Sequence, residues 1–390
     1  MPPNNSHGCQ LCGLQRLHSF DEFAALPRVT SDCFPFRPGG HLAVCDNCGH
    51  IQKLAEPTWH EEIREIYGRY ALFHQGGGNE QIVVDPVLGQ PRRRSELLVD
   101  RLARFVDFAA PGKSFIDIGC GTGALLRAVS SSARDWALYG LEYDDRGLPA
   151  LRAIAGFRHL YTGGGESVPD GMHLAAMVHV LEHLEQPVQY LRQLRPKLAP
   201  GGMLFVQVPN AADNPLDLLI ADHMSHFQFA TLQFAASRGG FEIVSCTGDW
   251  VPKELSLLVK PTEALPPTQC AGSEKARGLV RHQLNWLKRF VERAQRAAAD
   301  ARSFGLFGTS IAATWLFPFV ADRVRFFVDE DASRQGKEYL GRPVVAPAQV
   351  GADATVFMAM VPKTAAAVAK RLAPSAFTVA QPPELTAIVH

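Results

Sequence analysis

The chain has 390 residues, with 39 Lys+Arg against 39 Asp+Glu and a formal net charge of zero at pH 7. At about 150 residues per domain, that length leaves room for two to three domains. The even charge balance argues against a nucleic-acid binder acting through bulk electrostatics, and 46% hydrophobic with 20% charged residues is a folding composition rather than a disordered one.

No apolar run approaches the ~18 residues that span a bilayer. The longest stretch, 315–320, is interrupted by Pro318. The first residues, Met1-Pro2-Pro3-Asn4-Asn5, lack the basic and apolar regions of a signal peptide. The expectation is a soluble, cytoplasmic protein with no membrane partner. In a reducing compartment the eight cysteines need a reason other than disulfides.

Five of them, Cys9, Cys12, Cys33, Cys45 and Cys48, fall in the first 48 residues. Cys9-Gln10-Leu11-Cys12 and Cys45-Asp46-Asn47-Cys48 form two C-x-x-C pairs 32 residues apart. Two tight turns, each offering two thiolates, close a tetrahedral site that Zn²⁺ accepts without geometric penalty. Four protein ligands make it a structural site. Gly13 and Gly49 follow the pairs, where a tight turn tolerates positive φ. Cys33 reads as a bystander and His50 as a weaker ligand candidate. A redox pair lacks its βαβ surroundings, and unligated buried thiols are the remaining alternative.

Trp59, Ile63, Ile66 and Tyr67 recur at helical spacing over residues 57–67, and Gly76-Gly77-Gly78-Asn79 breaks the pattern. Residues 92–109 then read as an amphipathic helix with Leu97, Leu98, Leu102, Phe105 and Val106 on one face. Ser114–Ile118 is a short buried strand that runs into Gly119-Cys120-Gly121-Thr122-Gly123 and a helix. A strand, a glycine loop and a helix make the first turn of a doubly wound α/β sheet, where backbone approaches a ligand closely. The string from Asp117 to Gly123 resembles motif I of class I S-adenosylmethionine-dependent methyltransferases, and its spacing is not that of the nicotinamide fingerprint.

The next strand, 137–141, ends at Glu142, an acid suited to accept hydrogen bonds from ribose hydroxyls; Asp144 and Asp145 follow if the strand ends later. A fourth strand, 174–178, continues into His179-Val180-Leu181-Glu182-His183, and if this segment is helical the two histidines share a face. An imidazole titrating near ~6.5 suits proton transfer, so His183 is the candidate base and His179 a cofactor-side candidate. A helix over 191–198 should stop at Pro200-Gly201-Gly202, and a fifth strand, 203–210, should open at Asn210. Asp222, His223 and His226 cluster near this ligand-facing edge, as substrate-site residues or, less readily, as a metal set. Strands over 241–244 and 255–260 complete the core, 92–260.

Beyond the proline-rich stretch 261–267, residues 279–301 read as a helix with Leu279, Leu284, Leu287, Phe290 and Val291 on one face. Strands at 303–307, 324–328 and 355–361 make a smaller βαβ unit, whose Gly305-x-x-Gly308-x-x-x-Ala312 is a degenerate phosphate loop. That loop is the basis of a weaker oxidoreductase reading, and it otherwise serves as scaffold.

The order of the three modules, 1–75, 92–260 and 270–390, resembles the sugar C-methyltransferase family. The stretch 328–337, followed by Pro343 and Pro347, looks like that family's tail. The resemblance implies an N-terminal zinc-binding module, a class I methyltransferase core and a small Rossmann-like C-terminal domain. It further implies S-adenosylmethionine and structural zinc as cofactors, and a small acceptor such as a nucleotide-linked sugar or natural-product intermediate. The family's catalytic histidine falls on His183 and its Glu-His pair on Asp222-His223. Tyr67 and Tyr70 sit where the family carries an N-terminal active-site tyrosine. Motif I and the second strand put Asp117, Gly119, Cys120, Gly121, Gly123 and Glu142 beside the cofactor. Three departures stand out: Ile220 replaces a tyrosine two residues before the acid, Asp222 replaces the longer Glu, and Gly164 lacks the acid expected to face adenine. The alternative is a non-catalytic cofactor-binding or zinc-organised scaffold.

Overall fold

The computed structural model describes residues 8–70, 80, 82–263, 272–372 and 376–385. A seven-stranded sheet crosses the middle of the molecule, in spatial order Phe157–Thr162, Ala137–Glu142, Ser114–Ile118, Met172–Val178, Leu198–Pro209, Glu254–Pro261 and Phe241–Thr247. The first five strands are parallel, and Glu254–Pro261 runs antiparallel to both its neighbours. Ser114–Ile118 is buried at every residue, as a parallel strand covered on both faces must be. Helices Arg94–Leu102 and Ala124–Ser132 supply the core on one face, and Pro187–Leu194 and Phe229–Arg238 the core on the other. The parallel strands end along one edge, at Gly119, Glu142 and His179, and this is where a doubly wound sheet binds its ligands. No described helix is long and apolar enough to cross a membrane.

Four local expectations are corrected. The helix expected over 92–109 is only Arg94–Leu102. The chain turns there, with Phe105 N and Val106 N both bonding Leu102 O, so that Val106 and Phe108 enter the core and Phe105 is left exposed. Pro200-Gly201-Gly202 does not end a helix. It lies within the long strand Leu198–Pro209, at a register shift opposite Met172 and Leu174 that the left-handed φ of Gly201 accommodates. His179 and His183 do not share a helix face. His179 has φ 56° and is followed by a single 3₁₀ turn, Leu181–His183, so the two imidazoles meet different partners. In the C-terminal unit the strand expected over 355–361 is Ala354–Met358, ending before helix Pro362–Arg371. Gly76-Gly77-Gly78-Asn79 and most of 261–267 lie outside the described residues.

The N-terminal segment is not closed on itself. Its four-stranded sheet runs Leu17–Phe20, Leu42–Cys45, Ile51–Lys53 and then Ser225–His226, the last strand donated by the central unit. Ser225 pairs with Gln52 and His226 with Ile51, and Lys53 N donates to Met224 O at 2.8 Å. Helix Pro57–Gly68 is pinned to this segment by Arg28, fully buried, whose guanidinium grips Glu62 at 2.7 and 2.8 Å. A buried ion pair of this bidentate kind fixes geometry more than it adds stability.

The C-terminal unit is a six-stranded sheet, in order Glu338–Tyr339, Arg342–Val345, Val324–Val328, Ser303–Phe307, Ala354–Met358 and Thr378–Ala380. The long helix Ser273–Asp300 packs against it through Trp286, Leu287 and Phe290. One continuous core joins Phe23, Val44 and Ile51 of the N-terminal segment, Leu218 and Leu219 of the central unit, and Trp286, Trp315 and Phe357 of the C-terminal one. Trp315 Nε1 donates to Pro27 O at 2.7 Å across that junction. Trp286 is fully buried, stacked on Phe290 at 4.8 Å, with Nε1 donating to Pro383 O. Trp286→Ala should therefore cost about 3–5 kcal/mol, read as an earlier urea transition followed by circular dichroism.

Candidate active site

The first parallel strand delivers the glycine loop. Gly119, Gly121 and Gly123 have φ of 76°, 50° and 84°. A Cβ at Gly119 would stand 2.5 Å from Val180 Cγ2, and one at Gly123 2.6 Å from Leu151 Cδ2, so conformation and packing both require glycine. Glu142, at the end of the second strand, accepts from Gly121 N at 2.8 Å and from Tyr143 N at 2.9 Å. Each of its oxygens keeps a lone pair beside the loop. Asp117, on the strand two residues before the loop, is buried, its pKa raised well above the usual range by burial and then by Glu142 and Glu80. The Cys120 thiol is buried against Gly140 and likewise pushed up.

The 3₁₀ turn after the fourth strand carries His183 into a cluster drawn from three parts of the chain. His183 Nδ1 lies 3.0 Å from the carbonyl oxygen of Asp222, 3.3 Å from its carboxylate and 3.2 Å from Tyr67 Oη. Carbonyl and carboxylate both accept, so Nδ1 carries the proton and Nε2 is the open nitrogen. Burial opposes the charged imidazole, but hydrogen bonding and charge from Asp222, with Glu182 behind them, raise its pKa. Asp222 is buried and held well below the usual carboxylate range. Its own desolvation is outweighed by His183, and Ser31 donates to it through N at 2.9 Å and Oγ at 2.5 Å. Tyr70 packs its ring edge-on to Tyr67 at 5.5 Å, with Oη 3.3 Å from Ser31 Oγ. Burial first, and Asp222 second, keep both phenols protonated.

His223 stands edge-on to His183, ring centroids 4.6 Å apart. Its Nδ1 is 2.7 Å from Asp217 Oδ1, and His226 Nδ1 is 2.7 Å from Asp217 Oδ2. The set Asp222, His223 and His226 therefore does not converge on one point: Asp222 belongs to His183, and Asp217 holds the other two. Sequence reading missed Asp217. The available signal was an acid inside the apolar run Pro215-Leu216-Asp217-Leu218-Leu219-Ile220, which must be paired when buried. It also missed Ser31 and Glu182. His179 sits between Glu182 and Glu254, at 3.0 and 3.3 Å. Burial works against its charge, yet Glu254 leads the groups that raise it to about 9.

Cys9, Cys12, Cys45 and Cys48 place all four sulfurs within 4.8 Å of one another, with Cys9–Cys48 and Cys12–Cys45 each at 3.5 Å. A tetrahedral ion with Zn–S near ~2.3 Å sets its sulfurs roughly 3.8 Å apart, so the four thiols fit Zn²⁺. Gln10, between the first pair, accepts from Ser225 Oγ at 2.8 Å, which ties the cluster to the segment bearing Asp222. His50 faces Ser225 Oγ at 3.1 Å and is not one of the converging ligands. Cys33 is no ligand either. It has φ 70°, and its carbonyl accepts from Thr314 Oγ1 at 3.3 Å, which joins N- and C-terminal segments. In the C-terminal unit Asp329, which follows strand Val324–Val328, accepts at Oδ2 from Arg334 and from Thr309 Oγ1 of the Gly308 loop, and at Oδ1 from Asp331 N. That acid is committed to partners within the C-terminal unit.

Residues 91–246 match the family model for a methyltransferase domain. Among curated proteins, a trans-aconitate 2-methyltransferase of Sinorhizobium fredii is 32% identical over 133 residues, 34% of this chain and 51% of that protein. A tRNA U34 carboxymethyltransferase of Pseudoalteromonas translucida is 30% identical over 121 residues, 29% of this chain and 37% of its own. A Mycolicibacterium smegmatis protein named as a probable S-adenosylmethionine-dependent methyltransferase is 26% identical over 165 residues, 40% and 61% of the two chains. The chain thus spans 37% to 61% of these relatives' lengths. The fold is that of a class I methyltransferase core, flanked by an N-terminal cysteine module and a small Rossmann-like domain.

His226 gives this site a pH signature. Burial lowers its pKa to about 4, against the pull of Asp217, whereas the unfolded residue titrates near ~6.5. Between those values the unfolded chain binds more protons. Its share of stability is present above about pH 6.5 and lost as pH falls toward 4. His226→Gln should flatten the decline in urea midpoint over that window.

Proposed function

We propose that the protein transfers a methyl group from S-adenosylmethionine to a small-molecule acceptor, and that a histidine removes the acceptor's proton. The single observation behind this reading is spatial. The glycine loop with its Glu142 tether lies on the same sheet edge as the turn that carries His183 to Asp222 and Tyr67. The cofactor supplies an electrophilic methyl on a sulfonium. Backbone of Gly119, Cys120, Gly121 and Gly123 lines its pocket above Asp117, and Glu142 takes the ribose hydroxyls. His179 closes the wall, its ring held by Glu182 and Glu254.

His183 takes the proton at Nε2. Asp222 holds its tautomer and stabilises the imidazolium that forms. Tyr67 and Tyr70 line the acceptor side, and His223, set by Asp217, shares the proton. The four N-terminal cysteines hold structural Zn²⁺, which keeps Gln10 and the Ser225 strand in place. The resemblance to sugar C-methyltransferases makes a nucleotide-linked sugar or a natural-product intermediate the favoured acceptor. The two relatives whose names give an acceptor, trans-aconitate and tRNA U34, differ in it, and the similarity of all three is confined to a part of this chain, so the acceptor belongs to the residues they do not share.

Calorimetry should show binding of S-adenosylmethionine and S-adenosylhomocysteine, abolished in Gly119→Ala. Labelled methyl transfer to a panel of nucleotide-linked sugars identifies the acceptor; binding with no turnover on any acceptor would make the protein a sensor. His183→Ala should keep cofactor binding and lose about 10²–10⁴-fold in turnover. Because the neutral imidazole is the base and its pKa is raised, the acidic limb of the rate profile lies above ~6.5. Asp222→Asn should move that limb to lower pH.

A further inference from the structure

We propose that Glu182, His183 and His223 form a second metal site, taking one divalent transition ion of the zinc type and blocking the reaction when filled. One carboxylate oxygen of Glu182 and one ring nitrogen from each histidine lie within 4.8 Å of one another. Both imidazoles are set for ligation. His183 Nδ1 faces the oxygens of Asp222, and His223 Nδ1 faces Asp217, so each ring turns its proton away and leaves Nε2 open. An imidazole backed by a carboxylate or carbonyl in this way has its orientation fixed and its basicity raised toward a metal.

Glu182 supplies an independent indication. Its side chain is fully buried, Oε1 faces His179 at 3.0 Å, and Oε2 has no hydrogen-bond partner. A buried anionic oxygen left unpaired is costly, and a cation between it and the two rings would satisfy it. Ligand distances of ~2.0–2.2 Å require the three donors to draw in by about an ångström. Two imidazoles and one carboxylate favour Zn²⁺, Co²⁺ or Ni²⁺ over Mg²⁺ or Ca²⁺, and leave coordination positions open. The site is separate from the cysteine cluster in donor chemistry. Its inhibitory effect rests on the methyl-transfer reading, because the ion occupies the Nε2 lone pair that takes the acceptor's proton.

The test uses the full chain, zinc-loaded, titrated with Co²⁺ and followed by visible absorption and dialysis. The expected result is one further equivalent bound with nitrogen/oxygen-type bands and no thiolate charge-transfer band. Glu182→Gln and His223→Gln should each lose it while keeping the circular dichroism spectrum of the unaltered chain, which checks that they are folded. Methyl transfer should fall about 100-fold with occupancy and return on chelation. Absence of the further equivalent in the unaltered chain overturns the site. A thiolate band in its place assigns the metal to the cysteines and overturns it equally. Retention of the equivalent in both variants overturns these ligands. Binding without inhibition upholds the site and overturns His183 as the proton acceptor, so failure of the two readings is distinguishable.

Discussion

The site hangs on one piece of backbone pairing, the two-residue strand Ser225–His226 against Gln52 and Ile51. Through it Ser225–His226 becomes the edge strand of a sheet whose other strands lie some 170 to 210 residues earlier in the chain. The same contact sets Lys53 N on Met224 O, and Met224 N in turn donates to Glu182 O at 2.7 Å. The turn bearing His183 and the segment bearing Asp222 and His223 are thus held by one ladder of hydrogen bonds, and the cysteine turns stand at its far side. A metal at those turns would stiffen that ladder, which is a physical reason for a cysteine module in a neutral enzyme of this kind.

Around that ladder the molecule buries several charged side chains, arranged in pairs. Asp222 serves His183, Asp217 serves His223 and His226, and Arg94, Glu254, His179 and Glu182 run in a chain with contacts of 2.8, 3.3 and 3.0 Å. Desolvation makes such groups poor sources of stability. Their use is directional: each acid fixes which nitrogen of its histidine carries a proton. Lys53 belongs to the same scheme, fully buried, lowered to about 7 mainly by burial, and donating to the carbonyl of Ile220 next to this segment. Ile220 itself packs into the core shared with Leu218 and Leu219, and Tyr67 reaches His183 from the N-terminal helix. An aromatic hydroxyl is therefore present despite Ile220, delivered from another part of the chain.

Local signals in the chain were sufficient for the elements whose causes are local. The strand Ser303–Phe307, the glycine loop 119–123 and the cysteine pairs lie where periodicity, positive-φ demand and ligand spacing put them. Helix Arg94–Leu102 ended earlier than its apolar pattern suggested, because Phe105 has the right residue type but the chain turns to bury Val106 and Phe108 in its place. His179 and His183 failed the helical reading because a strand ends at Val178, His179 takes a left-handed φ, and only a 3₁₀ turn follows.

The sequence by itself determined the residue inventory: four thiols in two tight turns, three glycines after a buried strand, an acid ending the next strand, and histidines near Asp222. These follow from covalent spacing and backbone conformation, which act over a few residues. Only the tertiary structure decided the partnerships. Asp217 took the two histidines that spacing had offered to Asp222, Ser31 took Asp222, and Tyr67 came to His183 from 116 residues away. Each of those choices depends on which buried charge finds which partner once water is excluded. That is a property of the assembled core and of the strand at Ser225, not of any stretch of the chain read alone.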